Sequence, residues 1–210
     1  MKSSKLRQVT AFLLAVCLSA LPCAAARRPS GRDAWQQPGR VVKDLGLEAG
    51  SRIADIGCGR GYFTFRLAKA VGKEGKVFAT EISERSLKSV ADRVKRDKLA
   101  NVEPVLSAAT DTKLAPASAD AAFICNVLHH VPKDKRLPLT QSIVKAIKPG
   151  GFFYICDWRF DAKIQYDKGR RIPRAELVKL GVDAGFKLDA EYHYLVHQVF
   201  LRFRKPPKSD

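Results

Sequence analysis

A glycine-rich segment constrains this chain more than any other feature. Residues 53–63 read IADIGCGRGYF, so an apolar run leads directly into the glycines at 57, 59 and 61. Glycine adopts positive φ angles without steric cost, and the N–H groups that open a following helix favour polar or anionic groups. The segment predicts a strand, a ligand-binding turn and a helix, which is typical of an α/β protein with a nucleotide-like cofactor.

The spacing of the glycines indicates the kind of cofactor. The dinucleotide fingerprint G-x-G-x-x-G would need its third glycine at position 62, but Tyr62 is there and the glycine is Gly61. Asp55 precedes the loop, and Glu81 ends an apolar run where nucleotide-binding folds hold the ribose hydroxyls. The two acids and the spacing D-x-G-x-G-x-G therefore disfavour hydride transfer.

The same pattern resembles motif I of the class I S-adenosylmethionine-dependent methyltransferases. Other segments are similar to the small ubiquinone/menaquinone-biosynthesis-like group, namely residues 32–38 (RDAWQQP), 120–131, 148–151 (KPGG, a turn before the fifth strand), 184–186 and 197–203. The resemblance implies a Rossmann-like α/β fold. Its seven-stranded sheet would be mostly parallel with an antiparallel last strand, and helices would cover both faces.

Strand and helix patterns alternate along the chain, as expected for such a sheet. The predicted strands lie near 52–56, 76–81, 102–107, 119–125, 151–157, 187–194 and 197–204. The predicted helices lie at 62–71, 83–98, 133–147 and 174–184, and Ser83 is a suitable cap for the second. We divide the chain into a leader (1–26), an N-terminal lid segment (27–48), a methyltransferase domain (49–205) and a tail (206–210).

The leader has the composition of a secretory signal peptide. Basic residues precede the apolar run 9–21, and Ala24 and Ala26 offer a small-residue cleavage site before Arg27. The run is short for a transmembrane helix. We expect export to the periplasm or the medium; the alternative is an uncleaved membrane anchor with the domain facing the cytosol. Export leaves open how the domain meets a cytosolic cofactor.

The net charge of +17 is compatible with nucleic acid or anionic lipid as a partner. The basic residues are dispersed, however, and we find neither an RNA-binding module nor a continuous basic and aromatic platform. We therefore predict a monomeric enzyme with a small-molecule methyl acceptor. The alternatives are a nucleic-acid methyltransferase and an exported, non-catalytic nucleoside-binding domain.

Three cysteines follow the leader, Cys58, Cys125 and Cys156, and an odd number does not form a disulfide framework. Each lies near the carboxyl end of a predicted strand, so the thiols could surround one cleft and take a soft metal. The favoured interpretation is small buried residues in tight turns. We predict no metal site.

The resemblance implies S-adenosylmethionine as the cofactor and supplies its site. The expected contacts are Asp55, Gly57, Cys58, Gly59 and Gly61 around the methionine and ribose, Glu81 with Ile82 at the ribose, and Asn126 in the cleft. Many relatives have an acid at the adenine end where this chain has Ala108. Asp111 could reach the exocyclic amine instead.

Methyl transfer from a sulfonium needs positioning and exclusion of water more than it needs a catalytic residue. His130 is the candidate general base because imidazole titrates near neutrality; alternatively, it and His129 cap a helix or pack. The basic cluster Lys168, Arg170 and Arg171 is a candidate for holding an anionic acceptor. The full set of candidate substrate residues is Trp35, His129, Asp157, Arg159, Tyr166, Arg170 and Arg171.

Overall fold

A computed structural model describes residues 31–165 and 167–208. The predicted leader and its cleavage site lie outside the described residues, and so does Tyr166. None of the helices in the described ranges has the length and apolar character needed to cross a bilayer.

Within the described residues, seven strands form one sheet, which confirms the predicted Rossmann-like α/β fold. They are β1 Arg52–Ile56, β2 Lys76–Glu81, β3 Val102–Leu106, β4 Ala119–Cys125, β5 Ile147–Trp158, β6 Lys187–Tyr192 and β7 Gln198–Arg204. Their order is β3-β2-β1-β4-β5-β7-β6. The first five strands are parallel, and β7 is antiparallel to both of its neighbours.

Six α-helices accompany the sheet in the described part of the chain. They are α1 Arg32–Gln36, α2 Pro38–Asp44, α3 Thr64–Val71, α4 Glu84–Arg96, α5 Lys133–Ala146 and α6 Arg174–Asp183. Ser83 caps α4 as expected, because its hydroxyl accepts a hydrogen bond from Ser86 N at 3.3 Å. Two apolar clusters bury opposite faces of the sheet, one including Val41, Leu67 and Val90 and the other including Ile143 and Leu177.

The segment 148–151 is not the turn that the sequence predicts. Strand β5 begins at Ile147, and its pairing with β4 shifts register between Ala119 and Ala121, so the glycine pair forms an irregularity within the strand. Gly150 has a φ of +79°. A Cβ at Gly151 would lie 2.4 Å from the carbonyl oxygen of Asp120, so the strands approach there more closely than a side chain allows.

The strand order reverses between β1 and β4, and this places the ligand crevice. The connections from these two strands cross to opposite faces of the sheet, which leaves an opening at the carboxyl ends of the strands. The glycine loop follows β1, and Asn126 directly follows β4. Both predicted segments therefore meet at the same edge.

Candidate functional site

The glycine loop borders a cavity of about 790 Å³. A Cβ at Gly57 would meet Val127 at 2.6 Å, and one at Gly61 would meet Phe65 at 2.4 Å. At Gly59, whose φ is +56°, a Cβ would meet nothing within 4 Å. Gly57 and Gly61 are therefore required by packing, whereas Gly59 presents bare backbone to open space that a ligand can fill.

The two acids predicted around this loop occupy different environments. Asp55 is buried and accepts a hydrogen bond from Thr64 Oγ1 at 2.6 Å, and burial raises its pKa to about 6. Glu81 accepts from Gly59 N at 2.8 Å through Oε2, and from Ile82 N and Ser83 N at 2.9 Å through Oε1. Glu81 thus connects the end of β2 to the glycine loop, with its oxygens in position to accept from other donors such as ribose hydroxyls.

A second, more apolar cavity of about 280 Å³ adjoins Glu81. Ile82 lines it with a side chain that is 62% exposed, a surface suited to the flat face of a base. Ala108 also lines it, but Asp111 does not. The Asp111 carboxylate accepts a hydrogen bond from Lys113 N at 2.8 Å and pairs with Lys113 Nζ. Contrary to the prediction, Asp111 therefore does not reach the cavity.

Cationic side chains surround the 790 Å³ cavity, and no motif in the sequence marked them as site residues. They are Arg32, Arg60, Arg66, Lys69 and Arg93. Arg32 lies over the Tyr62 ring at 3.7 Å, and Arg66 pairs with Asp33 at 3.1 Å. Because they come from α1, the glycine loop, α3 and α4, no local pattern connects them. Together they favour a ligand with an anionic group.

Three amide side chains form a hydrogen-bonded ring at the centre of the site. Gln36 Nε2 donates to Gln198 Oε1 at 2.5 Å, Gln198 Nε2 donates to Asn126 Oδ1 at 2.6 Å, and Asn126 Nδ2 is 3.4 Å from Gln36 Oε1. This ring holds Asn126, which has a φ of +56°. The sequence predicted Asn126 but not its partners, although Gln36 belongs to the RDAWQQP segment.

A third cavity, of about 560 Å³, adjoins Asn126 on the other side. It brings together Trp35, His129 and His130, which the sequence predicted. It adds Trp158, whose ring centroid is 5.0 Å from that of Trp35, and Asp167. Asp167 lies in a connection without periodic pattern, so no sequence signal marked it.

The two adjacent histidines have different surroundings. His129 is buried, and its Nδ1 is 2.6 Å from Asp157 Oδ1. Asp157 is also buried and is not among the residues lining the cavity, so it orients His129 rather than contacting an acceptor. His130 is exposed, with its Nδ1 3.2 Å from Arg170 Nη1. Partial burial and the neighbouring His129 lower the pKa of His130, which favours its neutral form.

The structure separates the three arginines expected to bind an acceptor. Arg171 is buried, and its guanidinium donates to the carbonyl oxygens of Ala162 at 2.6 Å and Ile164 at 2.5 Å. Arg159 pairs with Asp161 at 3.0 Å and lines a different cavity. Arg170 contacts His130 but does not line the 560 Å³ cavity. The prediction that Arg170 and Arg171 together hold the acceptor was wrong, because the Arg171 guanidinium binds carbonyl oxygens of its own loop.

Of the three cysteines that follow the leader, only Cys58 lies in a turn as predicted, because Cys125 and Cys156 belong to strands β4 and β5. Cys58 and Cys156 are buried and Cys125 is half-buried, and all three are free thiols. Burial raises the pKa of Cys58 and Cys156, so both remain protonated at neutral pH. In the described ranges, the one group of three potential metal ligands contains no cysteine; it is His129, His130 and Asp167.

Comparisons of sequence agree with this geometry. Residues 53–151 match a family described as "Methyltransferase domain". A demethylmenaquinone methyltransferase of Staphylococcus aureus is 33% identical over 117 residues, which are 56% of this chain and 46% of that protein. The match thus spans about half the length of the curated relative.

Comparisons of structure cover more of the chain. A SAM-dependent methyltransferase from Aquifex aeolicus superposes with a TM-score of 0.77 at 22% identity, over 84% of this chain and 94% of that chain. The cyclase SpnF superposes with a TM-score of 0.70 at 18% identity, over 83% and 82%. At these identities the superpositions establish the fold. The fold therefore also occurs in a protein named for a different reaction.

Proposed function

We propose that this chain is a class I S-adenosylmethionine-dependent methyltransferase of the ubiquinone/menaquinone type and that it transfers a methyl group to a small organic acceptor. One observation carries the proposal: Asn126 lines the cavity at the glycine loop, the apolar cavity beside Glu81 and the cavity beside the histidines. A cofactor in the first two cavities would present its methyl group near Asn126. An acceptor in the third cavity would approach the same point.

In this proposal, backbone groups of the glycine loop and charged side chains bind the cofactor. The ribose hydroxyls donate to Glu81, the methionine portion lies against Gly59, and the adenine lies against Ile82 and Ala108. The carboxylate of S-adenosylmethionine is attracted by the cationic rim that includes Arg32. The cationic sulfonium loses its charge on transfer, so the site mainly has to align donor and acceptor and exclude water.

The third cavity supports a small, flat acceptor. Trp35 and Trp158 offer aromatic surface, and 560 Å³ is within the usual range of about 300–1,000 Å³ for small-molecule pockets. The Staphylococcus aureus relative is named for demethylmenaquinone, which supports the same class of acceptor. A neutral His130 beside this cavity could accept a proton from a hydroxyl acceptor.

Two alternatives remain open to experiment. The net charge favours nucleic acid, but the cationic residues nearest the site surround the cofactor cavity rather than form a long track. A non-catalytic nucleoside-binding domain would bind S-adenosylmethionine without turnover.

Calorimetry of the full chain tests the step that the catalytic proposals share. We expect saturable binding of both S-adenosylmethionine and S-adenosylhomocysteine, and absence of binding would refute the proposal. Transfer of a radiolabelled methyl group to a panel of phenols and quinols should then identify an acceptor. Binding without transfer to any acceptor would favour the nucleoside-binding alternative, and salt-dependent transfer to RNA or DNA would favour the nucleic-acid alternative.

We also propose that the protein is exported, on the sequence features of the leader alone. Protein isolated from its native host should begin at Arg27, which N-terminal sequencing measures directly. A chain beginning at Met1 would favour the anchored alternative and would remove the difficulty of supplying the cofactor outside the cytosol.

A further inference from the structure

His129 has a buried nitrogen without a hydrogen-bond partner in the described structure. Its side chain has no solvent exposure, and Nε2 makes no hydrogen bond. A buried polar atom without a hydrogen-bond partner destabilises the folded state, so such atoms usually have a functional explanation. The carboxylate oxygen Oδ2 of Asp167 lies 3.3 Å from this nitrogen.

The contact with Asp157 determines whether Nε2 of His129 can donate or accept. The Asp157 carboxylate, 2.6 Å from Nδ1, accepts a hydrogen bond from the Nδ1–H group of a neutral imidazole, and Nε2 then carries the lone pair. Nε2 then lies 3.3 Å from a carboxylate oxygen of Asp167, and two electron-rich atoms at this distance repel each other unless a cation binds both. An imidazolium would instead donate to Asp167, but this contact lacks hydrogen-bond geometry.

The spacing suits a metal ion. The potential ligand atoms of His129, His130 and Asp167 all lie within 4.8 Å of one another. Two ligands at about 2.0–2.1 Å from one tetrahedral ion are about 3.3–3.4 Å apart, which is the separation already present between His129 and Asp167. His130 is exposed, so its ring can move closer and give up its contact with the exposed Arg170.

We propose that His129, His130 and Asp167 bind one divalent first-row transition-metal ion at the edge of the 560 Å³ cavity. Two imidazoles and a carboxylate are ligands that Zn²⁺, Fe²⁺, Mn²⁺ and Co²⁺ accept, and Asp157 is the carboxylate partner that typically orients a ligating histidine. The ion has open coordination positions toward Trp35 and Trp158.

The role of the ion, though not its binding, rests on the proposed function. An acceptor hydroxyl that coordinates the ion loses its proton more readily, because the metal stabilises the resulting oxyanion. The ion would then promote deprotonation of the acceptor hydroxyl, and His130 would not be needed as the general base. The proposal thereby restricts the methyl acceptor to two kinds of molecule. Either the methylated atom is itself an oxygen, or an oxygen lies next to the methylated atom.

Titration of the full, tag-free chain tests the site. Co²⁺ is followed by its visible absorption and Zn²⁺ by calorimetry, and we expect one ion per chain. Asp167→Asn and His130→Gln should each weaken binding more than about 100-fold, and Asp157→Asn by about 10–100-fold, the range typical of outer-shell partners. His129 itself is left unchanged because its buried side chain also supports the fold.

Two matched control variants test whether metal binding is specific to this site. They exclude a general effect of losing one negative charge or one exposed histidine. Asp161→Asn removes an exposed carboxylate from the same connection, and His193→Gln removes an exposed imidazole elsewhere. Both should bind the ion like the unmodified chain. Unchanged affinity in Asp167→Asn and His130→Gln, or no saturable binding by the unmodified chain, would overturn the proposal. The affinity for S-adenosylmethionine should be measured on the same samples. If the chain binds S-adenosylmethionine but no metal ion, only the metal site is refuted; if it binds neither, the proposed function is refuted as well.

Discussion

The proposed cofactor side and the proposed acceptor side of this site meet at Asn126 but are built differently. On the cofactor side, the glycine loop and the end of β2 present backbone groups, and Glu81 binds three backbone N–H groups. On the acceptor side, Gln36, His129 and Asp167 come from three distant segments and are held by side-chain contacts. The first is a local backbone structure and the second a tertiary assembly.

This difference predicts different consequences of substitution. A change on the cofactor side should affect ligand binding with a limited loss of stability, because the backbone around it is held by the sheet. A change on the acceptor side should affect stability as well, because each side chain also holds another segment. The following substitutions test that distinction.

Gly59→Val should have the largest effect on the cofactor side. We expect S-adenosylmethionine affinity to fall more than about 100-fold, or about 2.7 kcal/mol, because the side chain fills the open space where the ligand meets backbone. Gly46→Val is the matched control, since Gly46 has a φ of +60° and equally open surroundings outside the three cavities. Both variants should lose about 1–2 kcal/mol of stability through backbone strain. Equal affinities would contradict the assignment of the loop.

Arg171→Met should have the largest effect on the acceptor side, and the effect should be on stability. The guanidinium holds backbone carbonyl oxygens of the loop, so the free energy of unfolding in urea should fall by about 1.5–3 kcal/mol. Arg170→Met is the neighbouring control and should change it by less than about 0.5 kcal/mol, because Arg170 is exposed. If the two variants were equally stable, the loop would not depend on Arg171.

Glu81→Gln should weaken S-adenosylmethionine binding by about 1–3 kcal/mol, the scale of losing a charged hydrogen-bond partner. The amide has one acceptor oxygen instead of two and cannot serve both the backbone and a ribose. Glu103→Gln, an exposed change on the adjacent strand β3, is the calorimetric control. Unchanged affinity in Glu81→Gln would mean that the ribose lies elsewhere.

Asp55→Asn should change how stability depends on pH. The pKa of Asp55 is about 6 in the folded chain and near 3.8 when unfolded, so the folded state binds the proton more tightly. Between about pH 4 and pH 6, Asp55 therefore lowers stability as pH rises, by at most about 1.4 kcal/mol per pH unit. The stability of the variant relative to the unmodified chain should increase over this window and stay level above it. A constant difference from pH 4 to pH 8 would contradict the burial argument.

Much of the fold could be predicted because its signals are short in range. Alternating strand and helix patterns located all seven strands, and Ser83 was recognised as a cap from its position. The start of β5 could not be predicted, because KPGG has the composition of a turn and only pairing with β4 extends the strand through it. Asp111 was misplaced for a similar reason, since Lys113 and Ser142 engage its carboxylate.

The sequence by itself determined the glycine loop and the end of β2, which form the proposed cofactor side, because the φ angles that glycine permits and the ends of apolar strands are properties of neighbouring residues. Only the tertiary structure decided the acceptor side. In the structure, Asp157 orients His129, and the Arg171 guanidinium binds backbone carbonyl oxygens of its own loop. Asp167 lies next to His129, which is 38 positions away in the chain. The physical reason is that a side chain's hydrogen-bond partners depend on which distant segments the sheet brings together, and no local spacing records them.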